Sequence, residues 1–576
     1  MLRTLPVKAT LLLVICYSPL IGQNLESIGK EKPLVITGGV SLSQVVYAAN
    51  GINDRRDPYS YYASGNVNFS LYGWSVPLSF SFSNQNTTFQ QPFNQYSIHP
   101  TYKWITAHAG YTSMSYSPYT VNGHIFLGGA VDLAPEGNWK FSALYGRFLK
   151  AVEPDTVNES APTPAFKRMG YGFKASYGSG GDFVDVILFH AKDDIGSISY
   201  VPDSLGILPE ENLVVSIGAG KTFLEHFLLK AELASSALSR DIRAEGTGSN
   251  SEVLSHAGFL YAPRTSSAYY KAFKTALNYQ QDGYTVGVGY ERIDPQYRTL
   301  GAYYFNSDLE NITVNGGLAI LQGKMNIAVS AGTQRDNLDH SKVSTMRRMV
   351  SSVNVNYMPN QKLNLSASYS SFQTYTNIRS QFVNINQLTP YDNLDTLNYT
   401  QISQNATVTI MYMLGADSKE RRQNVNLNVS VQDAADKQGG ASTPNSGSRF
   451  YNGNLSYSLS LVPRNLTLSL AFNGNVNDNP ALKTMTLGPT ASIGKSFFER
   501  KLRTTLSSSY NNAYASGNRV SKMVNGRVNG SYTIQKKHNL NLSLVVVNRK
   551  SGTDVSQTAF TEFTGTLGYS YSFGMK

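Results

Sequence analysis

The histidines, the side chains most often used for proton transfer, are scattered along this chain. The run Asp339-His340-Ser341 gathers three residue types of a serine hydrolase, but as sequence neighbours. A catalytic triad is assembled in space from separate elements, so this adjacency does not indicate one. The eight histidines are His99, His108, His124, His190, His226, His256, His340 and His538, in no recognisable motif. With the acidic residues they show no metal-ligand spacing. We therefore expect no enzyme, no metal and no cofactor.

A second stretch that could do chemistry is the glycine-rich run YGSGGD at 177–182. A phosphate-binding loop needs a lysine after its glycines, and this run has none. Glycine, serine and aspartate are also the residues that favour tight turns. The run therefore predicts a turn between two strands and not a nucleotide site.

A recognition surface is better supported, because charged and aromatic residues gather within residues 289–313. Arginine and tyrosine are common anchors where proteins bind partners. The residues of interest there are Glu291, Arg292, Asp294, Arg298, Tyr303 and Tyr304. They could form a constriction or a docking site, or an outer loop held by its own ion pairs. The segment 379–399, rich in Asn, Asp and Tyr, is a second loop of this kind.

The elements that must position these residues are strands. In NVNLNVSV at 424–431 and NLNLSLVV at 539–546, apolar residues alternate with Asn and Ser. Successive side chains of a strand point to opposite faces, so each such strand has one apolar and one polar face. The same alternation returns from 363 to the end of the chain, and upstream it is present but less regular. No apolar run of helical spacing follows the first residues.

The links between the strands alternate between long and short. This alternation predicts an antiparallel transmembrane β-barrel of about 24–26 strands, with 26 the preferred count, because such barrels join long outer loops to short periplasmic turns. The long links are predicted near 50–59, 84–93, 116–122, 151–167, 192–211, 236–266, 292–310, 335–344, 376–396, 434–447, 477–483, 516–521 and 550–560. Trp74, Trp104 and Trp139 all fall at predicted short turns, where aromatic rings would sit at the membrane interface.

The face opposite to lipid would line a water-filled lumen, where charges are tolerated. From about 350 onward this lining is nearly all Asn, Ser and Thr. The charged residues that strand parity places inside are Asp132, Lys140, Lys174, Asp185, Lys230, Glu232, Lys274, Arg503 and Arg527. They could set a weak ion selectivity, or pair across strands and hold folded-in loops.

Composition fits an exported membrane protein. Charged residues make up 15% of the 576-residue chain, against about 25% in average soluble domains. Arg3 and Lys8 precede a short apolar run, which predicts a signal peptide at 1–22, then a short periplasmic segment at 23–32 and the barrel at 33–576. Cys16, within that signal, is the only cysteine. The net charge of +11 comes from scattered residues, which favours a solvated surface over nucleic-acid binding.

The last strand, TLGYSYSF, resembles the C-terminal recognition signal of bacterial outer-membrane barrel proteins. The matching residues are Thr566, Gly568, Tyr571 and Phe573, with Gly574-Met575-Lys576 trailing beyond the usual terminal aromatic. The resemblance implies recognition by the barrel assembly machinery and residence in the outer membrane, among its lipids. The Gly22-Gln23 junction is similar to exported proteins of Bacteroidota.

A round barrel of this many strands would be about 50 Å across, too wide for side chains to fill. We expect long loops to fold inward and narrow it, with 236–266, 192–211 and 376–396 as the best candidates. The first functional expectation is a porin-like channel for polar solutes. The alternative is a structural or assembly subunit that docks outer-membrane or surface proteins through its loops.

Overall fold

The computed structural model describes residues 34–574 with internal gaps. The gaps are 85–93, 155–163, 200–205, 249–251, 342–346, 372–401, 416–419, 435–436, 439–440, 443–446, 480–481 and 553–558. The predicted signal peptide at 1–22, the segment 23–32 and the predicted inward loop 376–396 therefore lie outside the described residues.

The chain forms 26 strands joined in sequence order. They are Leu34–Asn50 (β1), Tyr59–Leu71 (β2), Trp74–Ser83 (β3), Gln95–Ile98 with Thr101–Tyr102 (β4), Ile105–Ser115 (β5), Asn122–Leu133 (β6), Trp139–Leu149 (β7), Lys167–Ser179 (β8), Asp182–Asp194 (β9), Glu211–Phe223 (β10), Phe227–Ser239 (β11), Ser267–Gln281 (β12), Tyr284–Ile293 (β13), Leu309–Ile320 (β14), Met325–Arg335 (β15), Arg347–Asn360 (β16), Leu363–Ser370 (β17), Ile402–Leu414 (β18), Arg421–Ala434 (β19), Ser448–Leu461 (β20), Leu466–Asp478 (β21), Lys483–Phe497 (β22), Leu502–Ala515 (β23), Asn518–Ile534 (β24), His538–Ser551 (β25) and Phe560–Phe573 (β26).

The sheet closes on itself through its first and last strands. β1 and β26 pair antiparallel from Gly38 opposite Phe573 to Asn50 opposite Thr561. Closure satisfies the backbone groups of both strands, which a sheet in lipid requires because lipid offers no hydrogen bonds. The predicted fold, a closed antiparallel barrel of 26 strands, is confirmed.

The links between strands lie at the two ends of the barrel, which we call the short-link end and the long-link end. Trp74, Trp104 and Trp139 all lie beside links of the short-link end, as the sequence predicts. One link differs from the prediction: the long link expected at 516–521 is a turn of Ser516 and Gly517. Both residues have positive φ, 49° and 85°, the geometry of the two-residue turn that matches strand twist.

The two faces of the wall differ as the alternation predicts, most clearly in the second half of the chain. Leu455, Leu470 and Phe472 are more than half exposed on one face. Asn454 and Asn473 on the other face are nearly buried among polar neighbours. Burial of apolar groups in lipid accounts for the first face, so the second faces the lumen. Among the described residues, no helix has the length and apolarity needed to cross a bilayer.

Candidate functional site

Two links from the long-link end meet inside the barrel. They are 116–121, between β5 and β6, and 294–308, between β13 and β14, and we call them the crossing links. Val121 and Gly301 form a parallel backbone bridge. The N–H of Asn122 donates to the carbonyl of Gly301 at 3.0 Å. The contact therefore joins segments that are eight strands apart along the wall.

Side chains of the second crossing link fasten it to the backbone of the first. The hydroxyl of Tyr297 donates to the carbonyl of Tyr119 at 2.9 Å, and the hydroxyl of Thr299 donates to the carbonyl of Thr120 at 2.6 Å. All four residues are at most 2% exposed. Hydrogen bonds in such a dry setting are costly to break, because each separated group stays unsatisfied.

Polar side chains of the barrel wall form hydrogen bonds with the backbone of the second crossing link. The amide oxygen of Asn212 accepts from the N–H of Leu300 at 3.1 Å. The hydroxyl of Ser236 donates to the carbonyl of Arg298 at 2.7 Å. The Arg298 guanidinium in turn contacts the Glu210 carboxylate at 2.6 Å. Asn212 and Ser236 have no exposed surface, so the wall of β10 and β11 is shaped to receive this link.

An apolar core fills the space between the crossing links and the wall. Its members come from β5, β6, β7, β9, β10 and both links: Met114, Tyr116, Val121, Phe126, Leu144, Phe148, Ile187, Phe189, Ala191, Val214 and Leu300. The rings of Phe126 and Phe148 stack with centroids 5.2 Å apart. Gly301 packs directly against the first crossing link, because a Cβ at this position would lie only 2.6 Å from the carbonyl oxygen of Thr120. We call the crossing links and the inward side chains of β6 to β13 the filled lobe.

A tyrosine cluster completes the filled lobe. Tyr119 and Tyr297 pack on Ala234, Ala272 and Ile293. The hydroxyl of Tyr119 donates to the Glu291 carboxylate. Burial raises the pKa of Tyr119, and the neighbouring Glu291 carboxylate raises it further. Burial likewise raises the pKa of Tyr297. Both hydroxyls therefore remain hydrogen-bond donors beyond the pH at which a free tyrosine ionises.

Several of the charged residues that the sequence analysis expects to face inward make contacts within the filled lobe. Lys174 pairs with Asp185 at 2.9 Å and also donates to the carbonyl of Tyr116 at 3.4 Å. Glu232 accepts from the hydroxyl of Ser216 at 2.7 Å.

Other predicted lining residues lie apart from that lobe core. Asp132 lies on the same face and contacts His108 at 3.1 Å. Lys140 and Lys230 share the inner face and are exposed. Arg503 and Arg527, on β23 and β24, lie opposite serines across the strand pairs. The inward charges are therefore most concentrated in the first half of the chain.

The predicted recognition stretch is divided between the two faces. Glu291 and Arg298 belong to the filled lobe. Tyr303 also lies inside, where its ring stacks on His124 at 4.1 Å between centroids. Arg292 lies on the opposite face near Glu310, at 4.0 Å.

The remaining two residues of the predicted stretch, Asp294 and Tyr304, lie in the second crossing link. Asp294, at the end of β13, accepts from the backbone N–H of Lys271 at 2.8 Å. The side chain of Tyr304 is 79% exposed. The six residues do not form one site.

The link 240–266 differs from its predicted inward course. Leu254 and Tyr261 pack on Leu213 and Ala237, which point away from the lumen because their neighbours Asn212 and Ser236 point into it. Burial raises the pKa of the Tyr261 hydroxyl. This link covers the outer face of β10 and β11.

The link 192–211 is the second one predicted to fold inward. Its described part contributes Glu210 to the filled lobe.

The inner wall of β16 to β26, which we call the polar arc, is lined mainly by neutral polar groups. The Asn473 amide donates to the Thr490 hydroxyl at 3.0 Å, and the Asn525 amide donates to the Ser509 hydroxyl at 3.1 Å. Such ladders satisfy amides and hydroxyls along the wall while leaving others to face water. No crossing link contacts the polar arc among the described residues.

The four residues of the predicted C-terminal signal lie on β26, where the sheet closes. Tyr571 and Phe573 share the lipid-facing side, with ring centroids 5.6 Å apart. Thr566 lies on the lumen side and pairs with Val45 of β1. Gly568 lies opposite Asn541, and a Cβ there would be 3.6 Å from the Asn541 Cβ. The signal is therefore part of the closed wall.

The sequence did carry a signal for the filled lobe. In DFVDVILF at 182–189, Ile187 and Phe189 share the face of Asp185, so this strand is apolar on both sides. An inward apolar residue needs a partner inside the lumen. Pattern alone does not identify that partner, because Val121 and Leu300 lie in links. Among the described residues, no group of three or more His, Cys, Asp and Glu is arranged to hold a metal ion.

Comparison with known proteins gives structural similarity only. No family model matches the chain, and no curated protein does. The chain is similar to the translocation pore of the P pilus usher PapC, at 11% identity and a TM-score of 0.38 over 93% of this chain and 99% of that one. It is similar to the FrpB iron transporter of Neisseria meningitidis, at 11% identity and 0.37 over 93% and 82%. It is also similar to Acinetobacter baumannii OccAB4, at 10% identity and 0.29 over 76% and 99%.

Proposed function

We propose that the protein is an outer-membrane channel for polar solutes, narrowed by the crossing links. Solutes pass along the polar arc, and the filled lobe occupies the opposite side of the lumen. The amides and hydroxyls of the arc exchange hydrogen bonds with passing solutes as water does. Transport of this kind needs no cofactor and no chemical step.

The observation that carries the proposal is the burial of the crossing links against the inner wall. Thr120 and Val121 have no exposed surface, and Leu300 is 2% exposed. Loops held this firmly narrow a lumen permanently, whereas loops lying on the rim would leave it open. A lumen about 50 Å wide would otherwise abolish the permeability barrier of a membrane.

Conductance in planar lipid bilayers tests the proposal. The N–H of Asp308 already donates to the carbonyl of Asp294 at 3.2 Å, so residues 295–307 can be replaced by an Asn-Gly turn. We expect steady channel openings from the wild type. The variant should show openings of larger conductance, because the second crossing link no longer occupies part of the lumen.

The matched control shortens the link on the outer face. The N–H of Thr247 donates to the carbonyl of Pro263 at 3.0 Å, so residues 248–262 can be replaced by the same turn. This control should conduct like the wild type. A folded wild-type barrel that carries no current would contradict the channel.

The alternative is a structural or assembly subunit that binds other surface proteins. The observation that favours it is the exposure of large apolar residues on links of the long-link end: Phe259 is 90% exposed, Val253 83% and Tyr304 79%. Exposed apolar residues mark many binding surfaces. Purification from the native membrane distinguishes the two: partners in fixed ratio and no conductance favour the subunit.

Export and assembly follow the same proposal. The segment 1–22 directs export and is removed, and the aromatic pair of β26 presents the last strand to the barrel assembly machinery. Substitution of Phe573 by Ala should lower the amount of barrel in the outer membrane without changing the conductance of single channels. A normal amount would contradict the role of this residue in assembly.

A further inference from the structure

Five inward side chains near the short-link end form a continuous line of hydrogen bonds. The Oγ of Ser97 lies 3.1 Å from Nε2 of His99. Nδ1 of His99 lies 2.8 Å from Nδ1 of His108, and Nε2 of His108 lies 3.1 Å from Oδ2 of Asp132. The hydroxyl of Ser142 donates to the other oxygen of Asp132. These residues come from β4, β5, β6 and β7, and none of them is a member of the apolar core of the filled lobe.

The interruption of β4 creates this line. Pro100 has no N–H, so the strand breaks there, and the N–H of His99 donates instead to the carbonyl of Pro77 at 2.9 Å. Ser97 and His99 are two residues apart and face the lumen together. Gly110 lies opposite Ser97 and leaves the serine hydroxyl uncovered on that side.

The protons of this line have only one arrangement when both imidazoles are neutral. The Asp132 carboxylate can only accept, so His108 carries its proton on Nε2 and its Nδ1 is an acceptor. His99 must then donate from Nδ1, which leaves Nε2 as its acceptor. The proton between Ser97 and His99 therefore belongs to the serine. A serine hydroxyl that donates to an imidazole oriented by a third group is the arrangement of an activated nucleophile.

We propose that Ser97 is a nucleophile for acyl transfer, with His99 as its general base, and that the site hydrolyses carboxylic esters that enter from the lumen. His108 and Asp132 are positioning residues: they fix the tautomer of His99 and stabilise its protonated form. Ser79 lies opposite Ser97, and Asn66 lies opposite Ser79. Ser79 is thus the nearest hydroxyl donor on the neighbouring strand, and Asn66 lies one strand further along the inner face; preorganised donors of this kind stabilise an oxyanion.

The reaction balances with water as the only co-reactant. The Oγ of Ser97 bonds to the ester carbonyl carbon, and its proton moves to Nε2 of His99. The bond to the alcohol oxygen then breaks, and that oxygen takes the proton from His99. Water adds to the acyl group while His99 accepts a water proton. The carboxylic acid leaves, and the serine oxygen recovers its proton.

The primary test uses the purified barrel in detergent with a tagged fluorophosphonate, which phosphonylates activated serines, and p-nitrophenyl acetate. We expect one labelled site and measurable ester hydrolysis. Ser97→Ala should abolish both, and His99→Gln should slow hydrolysis by about 10²–10⁴-fold. The control is Ser64→Ala, since Ser64 faces the lumen with Ser41 at 2.7 Å and no imidazole. It should leave labelling and hydrolysis unchanged.

The positioning residues need a readout that simple loss of structure would not change. Hydrolysis should rise with pH as His99 loses its proton, and Asp132→Asn should displace the midpoint of this profile while Asp132→Glu restores it. Heat modifiability of each variant reports whether the barrel is folded. Absence of labelling in the folded wild type, or labelling that persists in Ser97→Ala, would overturn the assignment. Both outcomes are independent of whether the barrel conducts.

Discussion

The filled lobe and the polar arc share the same strand geometry, but they line the lumen with different kinds of side chain. In the filled lobe, the crossing links cover an apolar core, and polar side chains of the wall such as Asn212 and Ser236 hold the links in place. In the polar arc, inward residues are mostly Asn, Ser and Thr, with Arg503 and Arg527 as exceptions, and no contact with a crossing link is found among the described residues. The difference shows that one part of a barrel wall can carry a buried protein core while another part carries polar side chains.

The energetic basis of the two regions differs accordingly. The filled lobe buries apolar surface, which stabilises by about 25 cal/mol per Å² removed from water. The polar arc exchanges hydrogen bonds with water for hydrogen bonds within the wall, and each contributes only about 1 kcal/mol. Changes in the lobe should therefore cost more than equivalent changes in the arc.

The largest effect is expected from a side chain at Gly301. In Gly301→Leu the new Cβ would lie 2.6 Å from the carbonyl of Thr120 and 3.0 Å from the ring of Phe189. The crossing links should separate and become sensitive to protease, with a loss of about 4 kcal/mol or more in the free energy of unfolding. The control is Gly453→Ala in the polar arc, where a Cβ would meet nothing within 4 Å. Equal losses in both variants would remove the distinction between the regions.

A deletion of side-chain volume should give a smaller but still unequal effect. Leu300→Ala leaves a cavity in the apolar core and should lower the free energy of unfolding by about 2–5 kcal/mol. Asn473→Ala in the polar arc removes hydrogen bonds and should cost about 1 kcal/mol. Urea titration of barrels refolded into liposomes measures both. A larger loss for Asn473→Ala would contradict the assignment of the core.

The crossing links should respond to alkaline pH through their buried tyrosines. The pKa of Tyr119 is raised above its ordinary value of 10.0 by burial and by Glu291. A group whose pKa is raised on folding stabilises the fold below its ordinary pKa, and that stabilisation is lost as pH rises through the folded value. The crossing links should therefore stay protected from protease to pH 10 and loosen only in stronger alkali. Tyr119→Phe should lose this alkaline transition, and an unchanged transition would exclude Tyr119 as its source.

The smallest effect is expected from the isolated charges near the polar arc. Arg503 and Arg527 face the lumen among serines and asparagines, so they should give the passage a weak preference for anions. Substitution of both by Gln should shift the reversal potential in a salt gradient slightly toward cation preference, with little change in conductance. A substitution of Lys230 tests the same property near the filled lobe. No shift in either variant would place the solute path elsewhere.

The wall was predictable from the sequence, because alternation and link length are local properties. NVNLNVSV in β19 and NLNLSLVV in β25 show the two faces directly, and 26 strands follow from the links. The turn at Ser516 and Gly517 was missed because residues that belong to β24 were assigned to the link. The signal peptide and the Bacteroidota resemblance stay predictions.

The interior was predictable only in part, because it depends on contacts between distant segments. The pairing of Val121 with Gly301 and the line from Ser97 to Asp132 join residues whose spacing carries no motif. Link length was a poor guide to inward folding. The short link 116–121 enters the lumen, whereas Tyr261 of a much longer link packs on the outer face.

Cysteine reactivity in the two regions tests the central claim most directly, since the only cysteine of the chain is Cys16 in the predicted signal peptide. Ser216 in the filled lobe is 1% exposed, whereas Asn529 in the polar arc is partly exposed on the lumen side. In barrels refolded without residues 1–22, a charged, membrane-impermeant thiol reagent should modify Asn529→Cys quickly and leave Ser216→Cys unmodified until denaturant is added. Rapid modification of both cysteines, or of Ser216→Cys alone, would contradict a lumen that is filled on one side and open on the other.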